Sequence, residues 1–161
     1  MDDLFVNTTL NHTISLEPKH INNQIDATIL EMLQNELEEK CIKHGYIKKN
    51  SIKILSRSLG NVLTSQFNGN SIYNITLSAK ICNPLENSSI KAKINGINKM
   101  GVMAYVGDEQ SPYISILMAK QHHIDNDKFN NLKINDIIKI KVLGKRYEYG
   151  DNQISVIGIL D

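Results

Sequence analysis

The residues able to do chemistry in this chain are mostly cations, and they crowd towards its end. Between positions 133 and 146, Lys133, Lys139, Lys141, Lys145 and Arg146 face one acid, Asp136. Lys91 and Lys93 stand further upstream, and Tyr105, Tyr113, Tyr147 and Tyr149 are interspersed. Ammonium groups beside aromatic rings can hold a single-stranded nucleic acid, phosphates on the cations and bases on the rings. Lysines that alternate with apolar residues are also the ordinary wet face of a half-buried sheet. The pattern alone permits both readings.

Other chemistry finds little support. His122-His123 could serve as a metal or acid–base pair, with Asp125 and Asp127 nearby. Adjacent side chains on an extended segment point apart, however, and no further ligand stands at zinc spacing, so a solvated loop is expected. His12, His20 and His44 are isolated. No Gly-rich phosphate loop, nucleophile elbow or paired-carboxylate motif occurs. The expectation is a protein that is not an enzyme and needs no cofactor or metal.

Composition sets the frame. The 161 residues are 41% hydrophobic and 22% charged, with a net charge of +1. That describes a globular chain of one mid-sized domain or two small ones. So small a charge limits any nucleic-acid binding to a local surface. No apolar run approaches the roughly 18 residues a membrane span needs. The acidic start, MDDLFV, lacks a secretory leader, so an intracellular protein is expected. Cys41 and Cys82, without a CxxC, suit neither a disulfide framework nor a zinc ribbon. Asn-x-Ser/Thr at Asn7, Asn11, Asn74 and Asn87 is then chance, in a chain whose Asn, Ile and Lys usage suits an AT-rich genome.

The elements that must position these side chains are legible. Residues 9–16 alternate strictly, with Leu10, His12, Ile14 and Leu16 on one face, and Glu17-Pro18 ends that strand. Ile21, Ile25, Ile29, Met32, Leu33, Leu37 and Cys41 recur at spacings of three and four and predict a long amphipathic helix. Glu36/Lys40 and Glu39/Lys43 form i,i+4 pairs on its wet side, and Gly45 is placed to stop it. Residues 46–55 read as a strand interrupted at 48–51. A loop over 56–67 surrounds Leu59, Val62 and Leu63, and Ile75, Leu77, Ala79 and Ile81 define another strand. Asn83-Pro84 is the expected domain boundary. The order strand, helix, strands predicts an α+β unit over residues 1–83.

Residues 84–161 read differently. Ile90, Ala92 and Ile94 alternate with Lys91, Lys93 and Asn95. A polar turn over 96–99 leads to Gly101, with Val102, Ala104 and Val106 on one face and Met103 and Tyr105 on the other. Three more strands follow, over 113–118, 138–142 and 154–160, the third and fourth separated by a polar connection with a short helix. Five short strands in this order predict an OB barrel, and the opening pair resembles the S-one-type OB domain that binds single-stranded RNA.

The whole order of parts resembles one family. SLEPKHI, a long helix, HGYI, a Gly-containing loop, YNITLSAKICNP and an OB barrel follow one another, as in the stalk subunit of multisubunit RNA polymerases. That family comprises the seventh subunit of eukaryotic RNA polymerase II and its archaeal counterpart. Leu16, Pro18, Lys19, Gly45-Tyr46-Ile47, Gly60, the strand over 74–84, Gly101 and Val106-Gly107 carry the similarity, which covers nearly the whole chain. The aromatic that commonly follows the barrel glycine is Val102 here, and the connection between the third and fourth barrel strands is short.

The resemblance implies an amino-terminal tip domain (1–83) and an S-one-type barrel (84–161). It implies docking on the polymerase core, at the clamp region of the largest subunit and a neighbouring small subunit, through Pro18, Leu59, Gly60, Asn61, Val62 and Leu63. A smaller helical stalk subunit is the implied partner. Nascent single-stranded RNA would meet Lys91, Lys93, Tyr105, Tyr113, Lys139, Lys141, Lys145 and Arg146. The compact, Asn-rich chain suits a polymerase encoded by a large DNA virus, acting in a cytoplasmic factory or virion; a cellular eukaryotic counterpart would be nuclear. The competing expectation is a stand-alone RNA-binding factor in translation or decay that shares only the barrel.

Overall fold

A computed structural model describes residues 4–20, 23–58, 61–62 and 71–161. The chain divides into two compact units. One holds residues 5–38 and 47–81; the other holds residues 39–46 and 82–161 together with Leu4. Among the described residues, no helix is long and apolar enough to cross a membrane.

In the first unit, β1 (Phe5–Leu16) lies beside the twelve-residue β6 (Ser71–Cys82). Two short strands, β4 (Lys53–Arg57) and β5 (Asn61–Val62), also pair with β6. Leu10, Ile14 and Leu16 of β1 are buried, as are Tyr73, Ile75, Leu77 and Ala79 of β6. Helix α1 (Ile25–Leu37) buries Ile29, Leu33 and Leu37. Arg57 Nε donates to Asp26 Oδ1 at 2.6 Å and ties that helix to the sheet, and His12 Nε2 lies 3.5 Å from Glu36 Oε1. Each fully buried Leu or Ile contributes roughly 1.5–3 kcal/mol of apolar transfer free energy, so this stripe holds the layer together.

The helix is shorter than its periodicity suggests. Glu38 is extended (φ −69°, ψ 143°) and Glu39 has a positive φ of 57°, so the chain leaves the helix before Cys41. The pairs Glu36/Lys40 and Glu39/Lys43 are therefore not helical, and Glu36 meets His12 instead. Gly45 does not stop the helix; its φ of 133° falls in the hairpin joining β2 (Cys41–Ile42) to β3 (Gly45–Ile47).

Residues 39–46, expected within the amino-terminal domain, belong to the second unit. The backbone explains why. Cys41 N–H donates to Asp151 O (2.7 Å), and Gly150 N–H donates to Cys41 O (2.9 Å). Tyr147 Oη donates to Lys43 O at 3.0 Å.

The remainder of that unit is a closed barrel of β7 (Ser89–Asn98), β8 (Gly101–Gly107), β9 (Pro112–Ala119), β10 (Ile137–Arg146) and β11 (Ile154–Leu160). Its order around the barrel is β10-β11-β9-β8-β7, with β7 returning to β10. β9 and β11 run parallel and the other pairs antiparallel. This closure fits the OB fold, and a mostly β chain with a barrel, a second sheet and α1 is compatible with the expected α+β class. The interior is filled by alternate residues, among them Ile94, Val106, Ile114, Ile140 and Ile154, all 0% exposed.

The turn from β7 to β8 is tighter than the expected 96–99. β7 runs to Asn98, whose Oδ1 accepts hydrogen bonds from the N–H groups of Met100 (2.9 Å) and Gly101 (3.1 Å).

Candidate nucleic-acid interface

The barrel register decides which cations act together. Lys91 of β7 lies directly opposite Lys139 of β10, Lys93 opposite Ile137, and Lys141 opposite Ser89. All four lysines project from the outer side, because Ile90, Ala92, Ile138 and Ile140 between them are buried. Directly opposed side chains have Cβ atoms roughly 4.5–5.5 Å apart, and like charges there destabilise the pair. The Lys91–Lys139 contact therefore costs the free protein something that a bound anion would offset.

Lys145 is not part of this row. A register shift between Val142 and Gly144 brings Lys145 opposite the buried Val156, on the other parity from Lys139 and Lys141. It is half-buried, and its ammonium donates to Asn83 Oδ1. Arg146, the next residue, is exposed and opposite Ser155. Lys133 is exposed, and its backbone N–H is held by Asp136 Oδ2.

The tyrosines offer less stacking surface than their spacing suggests. Tyr105, expected as a platform, is only 6% exposed and sits between Lys93 and Ser115 in the sheet. Tyr113 is half-buried and stacks on Tyr46, with ring centroids 5.6 Å apart and planes at 26°. Burial, reinforced by Glu39 and the two cysteines, pushes the Tyr46 phenol up to about 12. Tyr147 is raised by burial and then by Cys41. Tyr149 alone among the four singled-out tyrosines is widely exposed, at 67%.

Cys41 and Cys82 are wholly buried free thiols. Burial and the nearby Asp151 raise Cys41 to about 11; burial and Cys41 raise Cys82 to about 12. Thiols buried in this way are poor nucleophiles.

His122 and His123 stand at the end of a 3₁₀ turn, Lys120–His122, and not on the expected extended segment, and only His122 is solvated. His123 is 4% exposed and stacks on Phe129 of a short helix, α2 (Asp127–Asn130), at 4.1 Å and 10°. Its Nε2 accepts from Leu160 N–H at 2.9 Å, and its Nδ1 lies 2.8 Å from Ala119 O. These partners assign the proton to Nδ1, so the ring is a neutral bridge from the β9 end to β11. His123→Phe keeps a ring on Phe129 but orphans both backbone groups. It should lower stability by about 2–3 kcal/mol and the melting midpoint by about 5–10 °C. An unchanged midpoint in a thermal melt would return His123 to a passive loop.

The expected docking residues are only partly described. Pro18 is exposed and opens a 3₁₀ turn, Pro18–His20. Asn61 and Val62 form β5, opposite Ile72 and Ser71. Leu59, Gly60 and Leu63 lie outside the described residues.

One surface has no counterpart in the sequence pattern. On the outer side of the barrel, Met103 lies opposite Leu117, and Leu117 beside Ile157. They are 42%, 37% and 51% exposed. This apolar row crosses β8, β9 and β11, whereas the lysine row lies on β7 and β10. Alternation is visible in each strand, but the outward apolar residues join into a row only through the register.

Taken together, topology and surface define a closed five-stranded barrel that fits the OB fold, with a basic row on β7 and β10, beside a second unit of sheet and helix. No protein-family model matches the chain. Over 170 aligned positions it is 25% identical to a protein of Acanthamoeba polyphaga mimivirus named "Putative DNA-directed RNA polymerase subunit". The similarity covers 98% of this chain and 82% of that protein.

Proposed function

We propose that this chain is a subunit of a DNA-directed RNA polymerase, and that it occupies the stalk position as a non-catalytic part. One observation carries the reading: similarity to the mimivirus polymerase subunit spans 98% of the chain, so it includes both units. A free RNA-binding factor that shared only a barrel would be similar only over residues 84–161. In this reading, residues 1–83 dock on the core at the clamp of the largest subunit and its small neighbour. The barrel meets emerging RNA along Lys91, Lys93, Lys139 and Lys141, mainly through phosphates, because Val102 and Tyr105 are both buried. The apolar row of Met103, Leu117 and Ile157 suits a protein neighbour, such as a smaller helical stalk subunit. A viral polymerase would place the chain in a cytoplasmic factory or virion.

Docking is testable through the residues assigned to it. Leu59→Asp with Val62→Asp should abolish recovery of polymerase large subunits by the tagged chain while its circular dichroism is retained. An unpaired carboxylate at a closed interface costs several kcal/mol, whereas on a solvent-exposed surface it stays solvated. Loss of the dichroism signal in the isolated variant would assign these residues to the core instead.

A further inference from the structure

On the outer side of the barrel one cross-strand row runs without a break. Met103 lies opposite Gly96 on one side and Leu117 on the other, Leu117 beside Ile157, and Ile157 opposite Gly144. Three exposed apolar side chains therefore stand between two positions that carry none. Neither glycine is required by the packing of the barrel itself. A Cβ at Gly144 would meet nothing within 4 Å, and one at Gly96 would make an ordinary contact with Met103 Cβ at 3.9 Å. Neither residue has a left-handed φ. What the two glycines keep clear is the surface outside, at both ends of the row.

The dimensions suit a helix lying across the strands. Neighbouring strands are roughly 4.8 Å apart, so the three side chains span about 10 Å. A helix presents residues i, i+4 and i+7 on one face over about 10.5 Å. Met103 contributes an unbranched side chain that adapts to the surface it meets.

The surroundings fix the charge of such a helix. The five barrel strands contain Lys91, Lys93, Lys139, Lys141, Lys145 and Arg146, and no Asp or Glu. The adjacent row runs from Lys93 through Tyr105, Ser115 and Ser155 to Arg146. The exposed Arg146 lies diagonal to Ile157, as Lys93 does to Met103, which is within reach for long side chains. A second copy of this chain, seated row on row, would set these cations against one another. A nucleic-acid base would find no aromatic ring in the apolar row to stack on. We propose that the row seats an amphipathic helix of a partner protein, apolar at i, i+4 and i+7 and acidic on the flanks that meet Lys93 and Arg146. The proposal rests on reading the row as a surface for a protein neighbour, and not on that neighbour belonging to a polymerase.

Fluorescence anisotropy of the full chain at low salt with three labelled peptides tests this directly. The first is a side-chain-stapled helix of about 18 residues, five turns, with Leu at these spacings and Glu on both flanks. The second has Lys in place of Glu, and the third has Ser in place of Leu. The first should saturate at one to one and bind about tenfold or more tightly than either of the others. Leu117→Ser with Ile157→Ser, both exposed positions, should weaken it by about tenfold or more while the thermal melt is retained. Arg146→Glu should weaken the Glu peptide several-fold and strengthen the Lys peptide. Absence of binding by the Glu peptide, equal binding of the Glu and Lys peptides, or insensitivity to the Leu117/Ile157 and Arg146 variants would overturn the proposal, whatever the chain co-purifies with.

Discussion

Glutamine at Lys91, Lys93, Lys139 and Lys141 together is expected to remove most of the salt dependence of single-stranded RNA binding. These four cations project from the outer side of two adjacent strands. Each phosphate neutralised on a single strand contributes about 0.7 to the slope of log affinity against log salt. Four contacts give a slope near −3, about a fifty-fold loss of affinity between 50 and 200 mM salt. The variant should bind at least tens of times more weakly at 50 mM, more poorly than the native chain does at 200 mM, and respond little to further salt. Lys145→Gln alone should change the slope far less, because its ammonium is engaged by Asn83 on the other parity of β10. Removing the opposed Lys91–Lys139 pair should also leave the barrel no less stable. Fluorescence anisotropy with a short labelled RNA measures the affinity and its slope. An unchanged slope in the quadruple variant would make the row an ordinary solvated face.

A single methyl group at Gly101 should do more damage than those four charge changes. Gly101 opens β8 with φ +154°, and a Cβ there would lie 2.0 Å from Met118 O and 3.1 Å from Ala119 Cα. These atoms are backbone of the paired strand, so no rotamer change relieves the clash. The β8–β9 register, in which Gly101 faces Ala119, must open at that end. A cost of about 4 kcal/mol or more is expected, a fall in melting midpoint of about 10 °C or more for a chain of this size. Gly144→Ala is the comparison: its Cβ would meet nothing within 4 Å, and its midpoint should stay close to the native value. Equal midpoints for the two variants would contradict the close approach of β8 and β9.

Why some of this is legible in the sequence follows from the range of the interactions. Period-two alternation in Ile90–Ile94, Val102–Val106 and Ile154 onwards is a local property, and Ile90, Ala92, Ile94, Val102, Ala104, Val106, Ile154 and Val156 are all buried as it predicts. The helix end is not legible, because apolar spacing continues through Cys41 while Glu38 and Glu39 already leave helical geometry. Spacing counts side chains and does not see the hydrogen bonds that draw Cys41 to residues 150 and 151. The basic stretch is visible as composition, yet its division into an outer row and an inward Lys145 depends on one bulge at Val142–Gly144. Tyr105 shares parity with the exposed Met103, yet it is buried, so alternation alone misplaces it. His123 reads as half of a loop pair, since its partners, Ala119 O and Leu160 N–H, include one 37 residues away.

The central claim, that this chain is a polymerase subunit, is tested most directly by what accompanies it in the cell where it is made. The tagged full-length chain, purified gently at low salt, should co-elute with the large subunits of a DNA-directed RNA polymerase in constant ratio. Recovery of ribosomal proteins or nucleases in constant ratio, with no polymerase large subunit, would contradict the account and favour a stand-alone RNA-binding factor.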